Sequence, residues 1–178
     1  MPGWGWRVVA VLSAAACALG APGVADSTPH HAVVAHSALE SSVVTQMNVV
    51  RASHGLPPLR ANGRLAAAAD AHTRAMASRG FFSHDSADGT PFWKRVRRWY
   101  GDGGYSRWSV GENLLWSSPD VAAARAVQMW MNSPPHRRNL LSPQWREVGL
   151  SALHVGSAPG TFNGLEVTLM AADFGVRS

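Results

Sequence analysis

Apolar positions recur first at helical and later at strand spacing. Leu39, Val43, Met47 and Val50 share one helical face, and Gly55 with Pro57-Pro58 stops that run. Asn62 offers an N-cap for a second helix with the stripe Leu65, Ala68, Ala69, His72, Ala75 and Met76, and Gly80 ends it. Its many alanines predict close packing against a neighbour. A short third helix is predicted from Pro91 to Trp99, and the glycines of 101–109 read as a loop. Ser118-Pro119-Asp120 supplies a cap, a first-turn proline and an acid near the positive end of the dipole. It predicts a fourth helix carrying Val121, Ala124, Val127, Gln128 and Met131. Ser133-Pro134-Pro135 breaks that helix and starts a short one through Leu141. The period then changes to two: strands are predicted over 147–155 and 165–174, joined by a turn rich in Gly, Pro and Asn over 156–164. Helices followed by a terminal hairpin predict one α+β layered domain without repeats.

The N-terminus changes where this domain is expected to work. Arg7 is the only charge before Asp26, an apolar run spans 8–19, and Gly23 and Ala25 stand at the −3 and −1 positions of a cleavage site. This is the pattern of an export signal over 1–25. The apolar run is shorter than the roughly 20 residues of a spanning helix; an uncleaved anchor is the alternative. Cys17 as a lipid acceptor is disfavoured, because Ala14 stands where such sites usually carry Leu. Residues 26–37, with His30, His31 and His36, are expected to be a flexible lead-in to a domain over 38–178.

Composition removes other classes. The chain of 178 residues is 46% hydrophobic and 15% charged, which is globular rather than fibrous or disordered. Its single cysteine excludes a disulfide scaffold and a cysteine zinc ribbon. The net charge of +5 permits an anionic partner. Lys94, Arg95, Arg97 and Arg98 with Trp93 and Trp99 form a basic-aromatic patch. For an exported chain, its partner would be an anionic cell-wall polymer or a membrane surface rather than nucleic acid.

Polar residues beside aromatics concentrate in three places. They are Phe81-Phe82-Ser83-His84-Asp85, Gly111-Glu112-Asn113-Leu114, and the stretch from Trp130 through Ser133-Pro134-Pro135-His136-Arg137-Arg138-Asn139 to Leu141. Read singly, His84, Glu112 and His136 are equally well a loop, a capping and a helix-terminus residue. No His-Glu-x-x-His, no Gly-x-Ser-x-Gly and no phosphate-cradling loop accompanies them. His72 reads as a core or boundary histidine. One of Arg137 and Arg138 is expected to close a cleft by pairing with Asp85 or Asp173. Trp108, Trp116, Trp130 and Trp145 are expected in the core or the cleft wall.

In their order, these three segments resemble the bacterial branch of the CAP superfamily (sperm-coating protein, cysteine-rich secretory protein, pathogenesis-related-1). Asn48-x-x-Arg51, Gly55-Leu56-Pro57-Pro58-Leu59 and Phe174-Gly175 fit the same pattern, so the resemblance runs from about 38 to 175. It implies a three-layer α-β-α sandwich with a small, largely antiparallel sheet and one cleft. In that family two histidines and two glutamates meet in the cleft and can hold a divalent cation. Carried over, they are His84, Glu112 and His136, while Ser133 stands where the second glutamate would be. Ser83, Asn113, Ser133 and Arg137 would line the cleft or support it. Two imidazoles and one carboxylate suit zinc, with water as fourth ligand; the alternative is a hydrogen-bonded cluster around a cleft that takes a ligand. The resemblance implies an exported, monomeric module that binds lipid, polysaccharide or protein. The alternatives are a metal-dependent hydrolase acting through the same residues, and a structural or adhesive protein with a vestigial cleft.

Overall fold

A computed structural model describes residues 33–178, so the expected export signal lies outside the described residues. Strand β1 (Val33–Ala35) leads into helix α1 (Ser37–Ser53), and β2 (Arg60–Ala61) into α2 (Gly63–Arg79). Then come α3 (Phe92–Arg97), β3 (Trp108–Ser117), α4 (Ala123–Asn132) and α5 (Pro134–Leu140). Strands β4 (Glu147–Val155) and β5 (Val167–Arg177) close the chain. The sheet runs β1-β4-β5-β3, antiparallel throughout, except that β2 adds in parallel to the start of β4.

Alternation along the strands separates two faces. Leu115, Val148, Leu150, Ala152, Met170, Ala172 and Phe174 pack with Val43 and Met47 of α1 and Trp130 of α4. Leu114, Val155, Val167, Leu169 and Ala171 pack with Ala69, Met76 and Ala77 of α2. Helices therefore cover both sides of one sheet, which is the three-layer α-β-α arrangement expected. Gly149 marks the tightest approach: a Cβ there would lie 1.9 Å from the Ala66 nitrogen. The helix-end signals at α2 act as read. Asn62 Oδ1 accepts from the Arg64 and Leu65 amides, and Gly80 takes the left-handed conformation at φ 67°.

Four expectations change. Residues 33–37 are not a flexible lead-in: Val33–Ala35 hydrogen-bond to the far end of β4 and α1 already starts at Ser37, because an open strand edge recruits three residues too few to show alternation. Ser118-Pro119-Asp120 does not start α4. It forms the turn out of β3, Val121 drops into the core, and the helix begins at Ala123. Its buried face is accordingly Ala126, Val127 and Trp130, with Ala124 and Gln128 exposed. The last strand is shifted too, leaving Leu165 outside it and exposed. Finally, β3 was not predicted at all. Its centre, Gly111-Glu112-Asn113, is polar yet buried, so apolar alternation gives no signal there.

Candidate functional site

Strand β3 is the last in the sheet order, and its two buried polar residues, Glu112 and Asn113, point to opposite faces. Glu112 points to the α2 side, where its Oε1 accepts from His84 Nδ1 at 2.8 Å and its Oε2 from Arg95 Nη2 at 2.5 Å. Asn113 points to the α5 side, donating to the His136 carbonyl at 3.0 Å and accepting from Asn139 Nδ2 at 2.9 Å. Asn139 is fixed in turn by Trp145 Nε1, at 2.9 Å to its carbonyl oxygen and 3.1 Å to its Oδ1. Neighbouring residues of one edge strand thus position one histidine on each side of the sheet rim. The two imidazole centroids stand 6.5 Å apart. Gly111 allows this: a Cβ there would meet Asn139 Oδ1 at 2.6 Å and the Trp145 ring at 2.7 Å.

The loop bearing His84 is held from several directions. His72 Nε2 donates to the Ser83 carbonyl at 2.8 Å, Ser83 Oγ accepts from the Asp85 amide at 3.2 Å, and Asp85 Oδ1 accepts from the Phe92 amide at 3.2 Å. Arg95 also donates to the His84 carbonyl at 3.3 Å. Beside His136 lies a groove of about 290 Å³ lined by Phe82, Trp116, Met129 and Ser133 over Leu114 and Leu115. Ser133 lies between α4 and α5 in the groove wall, at the position the resemblance gives to the second glutamate.

Beneath the rim, charge is buried. Asp173 lies across the strand pair from Glu112 and is fully buried, with Arg95 Nη1 3.9 Å from its carboxylate. Burial and the Glu112 charge push the Asp173 carboxyl well above the usual range, against the pull of Arg95. Burial acts on Glu112 in the same sense, but the His84 hydrogen bond and Arg95 outweigh it and hold that carboxyl low. His72 and His136 are pushed below the ordinary histidine value by burial, reinforced by Arg95 at His72 and by His84 at His136. His136 therefore presents a neutral ring to the groove at pH 7.

The structure brings His84, Glu112 and His136 to one place, with Ser83, Asn113 and Ser133 around them. Arg137 and Arg138 are exposed, and neither closes the cleft: among the described residues, the cation facing Asp173 is Arg95. Arg95, expected in the exposed basic patch, instead turns in to Glu112, and Asp173 faces Arg95 rather than Arg137 or Arg138. A helical face explains the first, since Arg95 shares the buried side of α3 with Val96 while Arg97 and Arg98 face out. The second was signalled by an acid in the apolar run Leu169-Met170-Ala171-Ala172-Asp173-Phe174.

The three-ligand zinc set does not fit as it stands. Both Glu112 oxygens are engaged, and turning one to a cation would strip Arg95 of its partner. Among the described residues, no group of three or more His, Cys, Asp or Glu side chains is arranged to hold a metal ion. His84 Nε2 and the His136 ring remain as two donors, one short of a catalytic zinc site.

Residues 44–163 match the family model "CAP: Cysteine-rich secretory protein family", and the chain belongs to that family. It is 32% identical over 122 residues to YkwD of Bacillus subtilis and 30% identical over 111 residues to the membrane protein YlbC of the same organism. These matches cover 68% and 62% of this chain but 45% and 30% of the relatives, so the chain spans less than half the length of either. Among solved structures it is similar to an extracellular protein with an SCP domain from Bacillus anthracis, at TM-score 0.60 and 27% identity over 79% of this chain and 41% of that one. An outer surface protein of Borrelia burgdorferi shares the fold at TM-score 0.65 and 17% identity, over 83% of this chain and 99% of that one. No helix among the described residues is long and apolar enough to cross a membrane.

Proposed function

We propose that this chain is an exported CAP-domain binding module. Its edge-strand cleft takes an uncharged segment of a lipid or polysaccharide between the His84–His136 pair and the Phe82–Trp116 groove. The observation that carries this reading is the engagement of Glu112. With one oxygen on His84 and the other on Arg95, the carboxylate orients and preorganises; it is not a free base facing the groove. The hydrolase alternative would need that base or a metal-bound water, and for the latter the two histidines are one donor short of a catalytic zinc site. A neutral imidazole and aromatic walls instead offer hydrogen bonding and apolar contact to an uncharged ligand. Export in this reading rests on the N-terminal signal and on the extracellular description of the Bacillus anthracis neighbour. A divalent cation, zinc first, is the remaining part of the proposal and rests on His84 Nε2 and His136.

The test uses the exported chain with cell-wall fragments and with uncharged lipid micelles, followed by tryptophan fluorescence and thermal shift. Saturable binding is expected, weakened at least about tenfold in Trp116→Ala and in His136→Ala, a loss of roughly 1.4 kcal/mol. No response to either ligand class, or equal binding by both variants, would overturn the cleft as the site. Equilibrium dialysis against zinc is expected to show weak binding that His84→Ala and His136→Ala abolish.

A further inference from the structure

The outer face of α3 and the pocket behind it carry groups that the cleft does not use. This segment turns Arg95, Val96 and Tyr100 inward and leaves Trp93, Lys94, Arg97, Arg98 and Trp99 outside. The two indoles, Trp93 on α3 and Trp99 just past its end, are 41% and 46% exposed, where side chains of that size are normally covered. Lys94 Nζ lies 5.4 Å from the Trp93 ring centroid, and Arg97 pairs with Asp102. Arg79 and Arg98 have no ion-pair partner among the described residues. Together with Ser86 and Trp99 they line a pocket of about 430 Å³ between α2 and α3. The one acid in its wall, Asp88, already accepts the Thr90 amide at 2.9 Å.

We propose that this face docks on an anionic phospholipid surface, with Trp93 and Trp99 at headgroup depth and a headgroup phosphate entering the Arg79–Arg98 pocket. An indole is stable at a membrane interface because its ring is apolar and its N–H polar. Guanidinium groups pair with phosphate through two parallel donors, and basic side chains near an anionic leaflet add to its attraction. Charge complementarity alone would also suit a soluble phosphate polymer. The membrane is favoured by the outward indoles, to which such a polymer offers nothing apolar to enter. This inference does not rest on the cleft.

The full exported chain is tested by co-sedimentation with vesicles of phosphatidylcholine, alone or mixed with phosphatidylglycerol, at about 0.1 M salt, where charge is still felt over about 10 Å. Partition at least about tenfold stronger onto the anionic vesicles than onto phosphatidylcholine alone, with a blue shift of tryptophan emission, is the expected result. Trp93→Ser with Trp99→Ser, and separately Lys94→Glu with Arg98→Glu, should each lower the partition coefficient at least about tenfold. All four side chains are exposed, so these variants keep the fold, which circular dichroism checks. The ratio of anionic to neutral partition separates this face from the cleft: His136→Ala should keep that ratio, whereas both double variants should lose it. The proposal falls if the parent ignores anionic vesicles, or if either double variant binds undiminished. It also falls if soluble poly(glycerol phosphate) at equal phosphate displaces the chain fully, since the face would then be a polyanion site.

Discussion

At the residue scale, Arg95 and Glu112 are the pair on which the rim is built. Arg95 is nearly buried, and Glu112 has no side-chain exposure, so each ion is tolerable only while the other is present. Removing Arg95 would leave Glu112 unbalanced beside a buried Asp173 and release the His84 carbonyl. Arg95→Met is therefore expected to destabilise the fold by about 3–5 kcal/mol, measured by urea unfolding. A loss below about 1 kcal/mol would show that the cluster is hydrated and not held by the ion pair. That His84, Glu112 and His136 lie near one another was indicated by the resemblance of their segments, since each read singly was ambiguous. That Arg95 joins them was not legible, because one charge among four basic residues of 94–98 gives no sign of which faces inward until the helix is seated.

At the element scale, consecutive positions on a strand diverge by half a turn, and the site depends on that geometry. Glu112 and Asn113 can serve two histidines on opposite faces only because β3 is an edge with open space beyond it. The signals that use local backbone chemistry were readable: the Asn62 cap, the Gly80 stop and the Pro134 start all mark helix ends as expected. Signals that depend on a partner were not; β1 and β3 exist because β4 and β5 offer them hydrogen bonds. Close packing of α2 on β4 gives the element-scale prediction. In Gly149→Ala the new methyl would overlap the backbone of Leu65 and Ala66, and neither can rotate away. A loss of about 3 kcal/mol or more in thermal or urea unfolding is expected. An unchanged midpoint would mean that α2 rides higher on the sheet.

At the scale of the whole molecule, several buried titratable groups set how stability responds to acid. His72 donates through Nε2 to Ser83, while its buried Nδ1 has no partner among the described residues, so a second proton there would sit next to Arg95. Its native pKa is lowered, as is that of His136. The unfolded chain then binds more protons than the native one once pH falls below about 6.5, and stability declines from there. Glu112 adds a second decline at lower pH, as its lowered carboxyl is protonated and the links to His84 and Arg95 are lost. Asp173 acts in the opposite sense, since a raised acid favours the fold when protonated. The melting temperature is expected to drop between pH 7 and 5.5, with a shallower slope in His72→Gln; identical slopes would remove His72 from the account. Arg51 shows how far one buried side chain reaches: from α1 it donates to the carbonyls of Pro57, Leu140 and Ser142. The sequence by itself determined the ends of α2, the start of α5, the apolar faces of α1 and α2 and the presence of a closing strand pair, which follow from spacing and local backbone preference, while the rim residues were indicated by the resemblance of their segments. Only the tertiary structure decided which strand is an edge, which arginine turns inward, and that Glu112 is occupied on both oxygens, because each depends on side chains and strand edges far apart in the chain meeting in space.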